Sequence, residues 1–218
     1  MSDQARQNML MRLEGSGGRS TTVTLPQAVL EERTPAERSK ELQTMMEKVR
    51  TEVHRIEPVK LLDKLAEIVA GKGIGSLVFA ADSILGKNIQ QKWSETKGLK
   101  LIPYENSIEE FKEELFAVDA GITSTFAGIA ETGTLVLWPD QHEPRLMSLV
   151  PPIHIAILDE KRIFHNFREM LVKEKWNQEM PTNVLLISGP SKTGDIEFSL
   201  QYGVHGPKEL VVLILEEQ

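Results

Sequence analysis

Apolar residues recur along this chain in two alternating modes, one at intervals of three and four, the other in short unbroken runs. The first mode predicts amphipathic helices, and the second predicts strands buried on both faces. Leu42, Met45, Met46, Val49 and Val53 keep helical spacing behind Thr34-Pro35-Ala36-Glu37. There Thr34 can cap, Pro35 suits the first turn and Glu37 completes a capping box. Pro58 opens a second helix that buries Leu61, Leu62, Leu65, Ile68 and Val69, and Gly71, Gly73 and Gly75 stop it. Further helices are expected from about Ser83 to Trp93, from a second capping box at Ser107 to Glu110, from Lys161 to Trp176, and from Thr193 to Tyr202. Strands are expected near Val53 to Ile56, Ser76 to Ala80, Leu99 to Ile102, Thr134 to Trp138, Ile153 to Leu158, Val184 to Ile187 and Leu210 to Leu215. The small-residue stretch from Gly121 to Ala130 reads as a turn or helix.

Strands that alternate with helices imply an α/β fold with a mostly parallel, open sheet flanked by helices. In such sheets ligands bind at the carboxyl ends of the strands, so the loops that follow strands are where a site is expected. The first residues, MSDQARQNMLMRLEG, read as a helix with Ala5, Met9, Leu10 and Leu13 on one side, and Gly15-Ser16-Gly17-Gly18 as a flexible link. Residues 1–22 are therefore expected to form an N-terminal helical arm and 23–218 one α/β domain.

Composition changes this picture in two ways. None of the 218 residues is cysteine. Disulfides, thiolate nucleophiles and cysteine-ligated zinc or iron–sulfur centres are thereby excluded, and no cofactor is expected. The formal charge of −7, without a dense basic run, argues against a nucleic-acid partner. No apolar stretch approaches the roughly 20 residues of a membrane span. The N-terminus lacks the apolar core of a signal peptide, and a reducing cytoplasm is compatible with all of this.

Several segments carry candidate chemistry. Gly71-Lys72-Gly73-Ile74-Gly75 ends a helix and precedes a strand, the reverse of a dinucleotide-binding loop, and reads as a helix stop. Ser188-Gly189-Pro190-Ser191-Lys192-Thr193-Gly194-Asp195 follows a strand and is expected to lead into a helix, where free amides and Lys192 would attract an anion. The alternative is a tight turn capped by Ser191 or Thr193. A P-loop is not supported, because Asp195-Ile196 stands where Lys-Ser/Thr should follow. Glu131-Thr132-Gly133-Thr134 leads directly into an apolar strand, which makes Glu131 a candidate acid–base group or nucleophile. The alternative for Glu131 is an ion pair or bonds to backbone amides. His142, His154, His165 and His205 show no metal-ligand spacing. His154, inside an apolar run, reads as a satisfied core residue, and His205 lies in a turn that can reach a site. No Gly-x-Ser-x-Gly elbow supports a hydrolase.

Two of these segments carry a resemblance. Gly128 to Trp138, GIAETGTLVLW, resembles one signature of the LUD-domain family, and Ser188 to Leu210, SGPSKTGDIEFSLQYGVHGPKEL, is similar to the second. Lys192 stands where arginine is frequent in that family and Gly194 where alanine is frequent. Cysteine-free and short, the chain matches the family's C type, which has the LUD domain and an N-terminal helical segment only. The resemblance implies a fold similar to the sugar-phosphate isomerase and CoA-transferase group. It also implies a part in oxidising L-lactate to pyruvate beside iron–sulfur partner proteins. Its two signatures direct attention to Glu131 as a catalytic residue and to Thr132, Gly133, Thr134, Ser188, Gly189, Ser191, Lys192, Thr193, Asp195 and His205 as the lining of a site for a small organic anion. A rival expectation is an enzyme of acyl or CoA chemistry using Glu131, and another is a non-catalytic interaction subunit.

Overall fold

The computed structural model describes residues 3–16, 33–93, 98–104, 108–176, 178, 181–196 and 199–216. The chain divides into two compact units, Met1–Leu30 and Glu31–Gln218. In the first, helix α1 (Asp3–Ser16) leaves Met9, Leu10 and Met11 exposed. Helix α1 takes in Gly15 and Ser16 of the expected link, and Gly17 and Gly18 lie outside the described residues.

The second unit opens with α2 (Pro35–Glu47), β1 (Glu52–Ile56), α3 (Leu61–Lys72), β2 (Ser76–Ala80), α4 (Ile84–Trp93), β3 (Lys100–Tyr104), α5 (Ile108–Ala117) and β4 (Ala120–Ser124). The chain continues through β5 (Ala127–Ile129), β6 (Thr134–Leu137), α6 (Leu146–Leu149), β7 (Ile153–Asp159), β8 (Ile163–Phe164), α7 (Phe167–Lys173) and β9 (Leu185–Ile187). It ends with β10 (Lys192–Ile196), β11 (Ser199–Tyr202) and β12 (Glu209–Leu215). Six strands form a sheet in the order β1-β12-β7-β4-β2-β3, and every neighbouring pair is parallel. This is the α/β architecture that the alternating pattern predicts.

Alternation along β7 shows how the sheet is sandwiched. Ile155 and Ile157 face one layer with Leu65, Ile68 and Val69 of α3 and Ile89 and Trp93 of α4. Ala156 and Leu158 face the other, against Leu42 and Met46 of α2 and Leu135, Leu137 and Ile163 of a second, four-stranded sheet. That second sheet runs β8-β5-β6-β9, with β5–β6 and β6–β9 antiparallel. The local signals at two helix ends are met. Thr34 accepts from the Glu37 amide while Glu37 accepts from the Thr34 amide, and Gly73 closes α3 in the left-handed region at φ 65°. The Ser107 capping box lies outside the described residues. Among the described residues no helix is long and apolar enough to cross a membrane.

Three expectations are corrected. Gly121 to Ala130 is neither turn nor helix: it supplies the end of β4 and all of β5. Its small residues serve close packing, since a Cβ on Gly121 would stand 2.3 Å from the Met147 carbonyl oxygen of α6. The helix expected from Lys161 to Trp176 is broken into a short turn, strand β8 and helix α7, because Asn166 caps a new start by accepting from the Glu169 amide at 2.9 Å. Thr193 to Tyr202 is an antiparallel hairpin, β10–β11, rather than a helix. Its Ile196, Phe198, Leu200 and Tyr202 alternate with polar neighbours, a strand period that outweighs the helical reading.

Candidate functional site

Pairing in the second sheet decides where the two signature segments meet. In antiparallel β6 and β9, Leu135 lies opposite Ile187, so the start of one strand adjoins the end of the other. Thr134 Oγ1 is 2.7 Å from Ser188 Oγ and 2.8 Å from Thr132 Oγ1. The result is a chain of three hydroxyls in which Thr134 is buried while Thr132 and Ser188 are exposed. Gly133, at φ 61°, fits where a Cβ would come within 2.7 Å of Met45 Cβ, and Gly189 packs on Val49 in the same way.

The rest of the second signature folds onto itself. The Ser191 amide donates to the Pro207 carbonyl and the Gly203 amide donates to the Ser191 carbonyl, both at 2.9 Å. Ser191 thereby holds the Gly203–Pro207 turn, which carries His205 into solvent. Lys192 is exposed at the start of the hairpin, Thr193 is half-buried there, and the side chain of Asp195 lies outside the described residues. No helix follows this loop, so the expected ring of helix-start amides for an anion does not form. Glu131 is exposed, its amide donates to the His165 carbonyl at 2.9 Å, and its carboxylate has no partner among the described residues. Thr132, Thr134 and Ser188 are thus brought together. No hydrogen bond or ion pair joins Glu131 to Lys192, Thr193 or His205 among the described residues.

A different cluster lies at the carboxyl end of β4, the place the parallel sheet favours. A cleft of about 140 Å³ is lined there by Thr123, Ser124, Phe126, Trp138, Glu143 and Arg145, among others. Pro139 and Pro144 bound its loop, and Asp140 sets the turn by accepting from the amides of His142 and Glu143. Ser124 donates to Glu143 Oε2 twice, from its amide at 3.0 Å and its hydroxyl at 2.6 Å. Burial pushes the Glu143 carboxyl above its ordinary value, and nearby Asp140 adds to the rise against the two bonds from Ser124. Glu143 Oε1 has no hydrogen-bond partner among the described residues. Neither does the exposed guanidinium of Arg145, whereas Arg38, Arg55 and Arg162 are all in ion pairs.

Phe126 and Trp138 form the aromatic wall of the cleft, with ring centroids 5.1 Å apart. Beneath it, Thr123 Oγ1 meets His154 Nε2 at 2.9 Å. His154 is fully buried, as its apolar strand predicts, and burial lowers its pKa to about 4, so the ring is neutral near pH 7. The site is hard to see in the sequence because its residues come from two separate segments, 123–126 and 137–148. The available signal was Glu143-Pro144-Arg145, a charge pair around a proline in a loop after a buried strand.

Comparison with known proteins bears on the family. The LUD domain family model matches residues 39–215. An uncharacterized protein of Neisseria meningitidis serogroup B is 36% identical over 181 residues, covering 82% of this chain and 77% of that protein. Lactate utilization protein C of Halalkalibacterium halodurans is 31% identical over 144 residues, which cover 64% of this chain and 58% of that protein. Lactate utilization protein C of an Exiguobacterium species is 26% identical and aligns over 97% of this chain and 96% of its own length. The crystal structure of a DUF162 family protein from Deinococcus radiodurans superimposes with a TM-score of 0.61 at 20% identity, over 85% of this chain and 100% of that one, which supports the fold.

Proposed function

This chain belongs to the LUD domain family, and from that premise we propose that it is a subunit required for the use of L-lactate. In this reading it works in the cytoplasm in the oxidation of L-lactate to pyruvate, beside iron–sulfur partner proteins. It carries no redox centre of its own and contributes by binding a small organic anion or organising its partners. The observation that carries the reading is the near full-length alignment with a protein named for lactate utilization. A chain without cysteine offers no thiolate for an iron–sulfur cluster, which supports placing the clusters on partner proteins. Deleting the gene, in a strain with no other lactate-oxidising enzyme, should abolish or slow growth on L-lactate and leave growth on glucose intact. Normal growth on lactate would remove the proposal. A stoichiometric chromophore in the purified chain would contradict the part that denies it a redox centre.

A second reading rests on one observation, the solvent-facing Glu131 carboxylate, without a partner among the described residues, in the segment that carries the hydroxyls of Thr132 and Thr134. Here the chain is an enzyme of acyl or CoA chemistry, with Glu131 as base or nucleophile. Gly133, Gly189, Ser191, Lys192, Thr193, Asp195 and His205 would then line the anion site. Glu131→Gln keeps the shape and removes the charge. Under this reading the variant folds normally and loses function; under the first it folds normally and supports lactate growth.

A further inference from the structure

We propose that the cleft at the carboxyl end of β4 binds a small 2-hydroxy or 2-oxo monocarboxylate, with Arg145 taking the carboxylate and Glu143 the oxygen on the adjacent carbon. The choice of a 2-oxygenated acid rests on the lactate reading above; the position and polarity of the site rest on the geometry alone.

Size is the first argument. A volume of about 140 Å³ has room for several waters, hence for a molecule of roughly six non-hydrogen atoms. Charge is the second. A guanidinium presents a planar fork that matches a carboxylate. Arg38, Arg55 and Arg162 are in ion pairs and Arg50 lies over the Tyr202 ring, while Arg145 stands at the cleft with no carboxylate partner among the described residues, although Glu143 is only two residues away. Glu143 is held back from Arg145 by the two bonds from Ser124, both to Oε2. Oε1 is left as the polar atom for a ligand. It accepts from a 2-hydroxyl when ionised and donates to a 2-oxo group when protonated, and burial favours the protonated form.

The third argument is the wall. Phe126 and Trp138 give an apolar surface for a short alkyl end. Two main-chain amides at the cleft are already engaged: Thr125 donates to the Ile157 carbonyl at 2.9 Å and Phe126 to the Val136 carbonyl at 2.8 Å. Recognition in this assignment rests on the side chains of Arg145 and Glu143, which suits a single compact anion better than a phosphate ester, whose oxygens are commonly held by several amides.

Titrating L-lactate, pyruvate and propionate into the full-length chain, followed by tryptophan fluorescence and calorimetry, tests the assignment. L-lactate or pyruvate should bind saturably, and propionate, which lacks the 2-oxygen, more weakly. Arg145→Gln should raise the Kd about tenfold or more without lowering the melting temperature, since the side chain is exposed. Glu143→Gln should narrow the gap between L-lactate and propionate. Absence of saturable binding, an unchanged Kd in Arg145→Gln, or equal binding of propionate would overturn the assignment. Growth separates this from the wider reading. A deletion strain that fails on lactate but is fully rescued by Arg145→Gln keeps the lactate role and overturns the cleft as its site. Intact Arg145-dependent binding with no growth defect supports the cleft and removes the lactate role.

Discussion

The two polar regions of the second unit differ in how completely they use their own hydrogen-bonding groups. At the start of β6, Thr134 is buried between Thr132 and Ser188, and the neighbouring glycines pack against α2 and Val49. At the end of β4, Glu143 is bonded through one carboxyl oxygen, and the Arg145 guanidinium meets no acceptor among the described residues. The first region uses its hydroxyls to hold two strands in register. The second leaves one acceptor and one cation unpaired among the described residues. The recognisable sequence signature and the cleft at the end of β4 are therefore different places in the fold, and the exposed Glu131 carboxylate has no partner among the described residues.

The largest expected effect sharpens the contrast from below the cleft. His154 has a folded pKa of about 4 against an ordinary value of 6.5. Its neutral form is favoured in the fold, so its contribution is complete above pH 6.5 and is lost as pH falls toward 4. The loss amounts to about 3 kcal/mol of stability over that window. Replacing both partners, as Thr123→Val with His154→Leu, should flatten this part of the profile. Urea unfolding of both proteins at pH 7 and pH 4 checks it, the difference between them cancelling the shared acid response of Glu52 and Glu169, whose pKa values are lowered. An equal slope in both proteins would show that His154 is not the group responsible.

Glycine substitutions come next and probe the scaffold of each region. Gly121→Ala forces a methyl against the Met147 carbonyl, and Gly133→Ala combines a left-handed backbone with a clash at Met45. Each should cost about 2 kcal/mol in denaturant unfolding. Only Gly121→Ala should also disturb the cleft, because Met147 shares α6 with Ser148, which lines it. A smaller effect is expected from Thr134→Val, about 1 kcal/mol for the hydroxyl chain it interrupts, with ligand binding unchanged.

Much of the scaffold was legible in the sequence. Continuous apolar runs such as Leu77–Ala80 and Leu210–Leu215 are strands of the parallel sheet, and Thr34 and Gly73 bound their helices as their chemistry dictates. The second sheet was not legible as a separate layer. Its strands are short, β8 spans only Ile163–Phe164, and their apolar residues are as continuous as those of the main sheet. Hairpin β10–β11 is obscured in the sequence because glycine and aspartate at 194–195 mask the alternation that starts at Ile196. Of the site, the meeting of Thr134 with Ser188 followed once β6 and β9 proved antiparallel. The cleft was hidden because Ser124 and Phe126 meet the loop that carries Trp138, Glu143 and Arg145 only through the fold.

The most direct test of that contrast is a calorimetric titration of L-lactate into the wild-type chain, Arg145→Gln, and a variant of the other region, Lys192→Ala. Arg145→Gln should bind at least about tenfold more weakly, while Lys192→Ala should match the wild type. Weakened binding in Lys192→Ala with an unchanged Kd in Arg145→Gln would place the ligand at the signature segments and contradict the cleft.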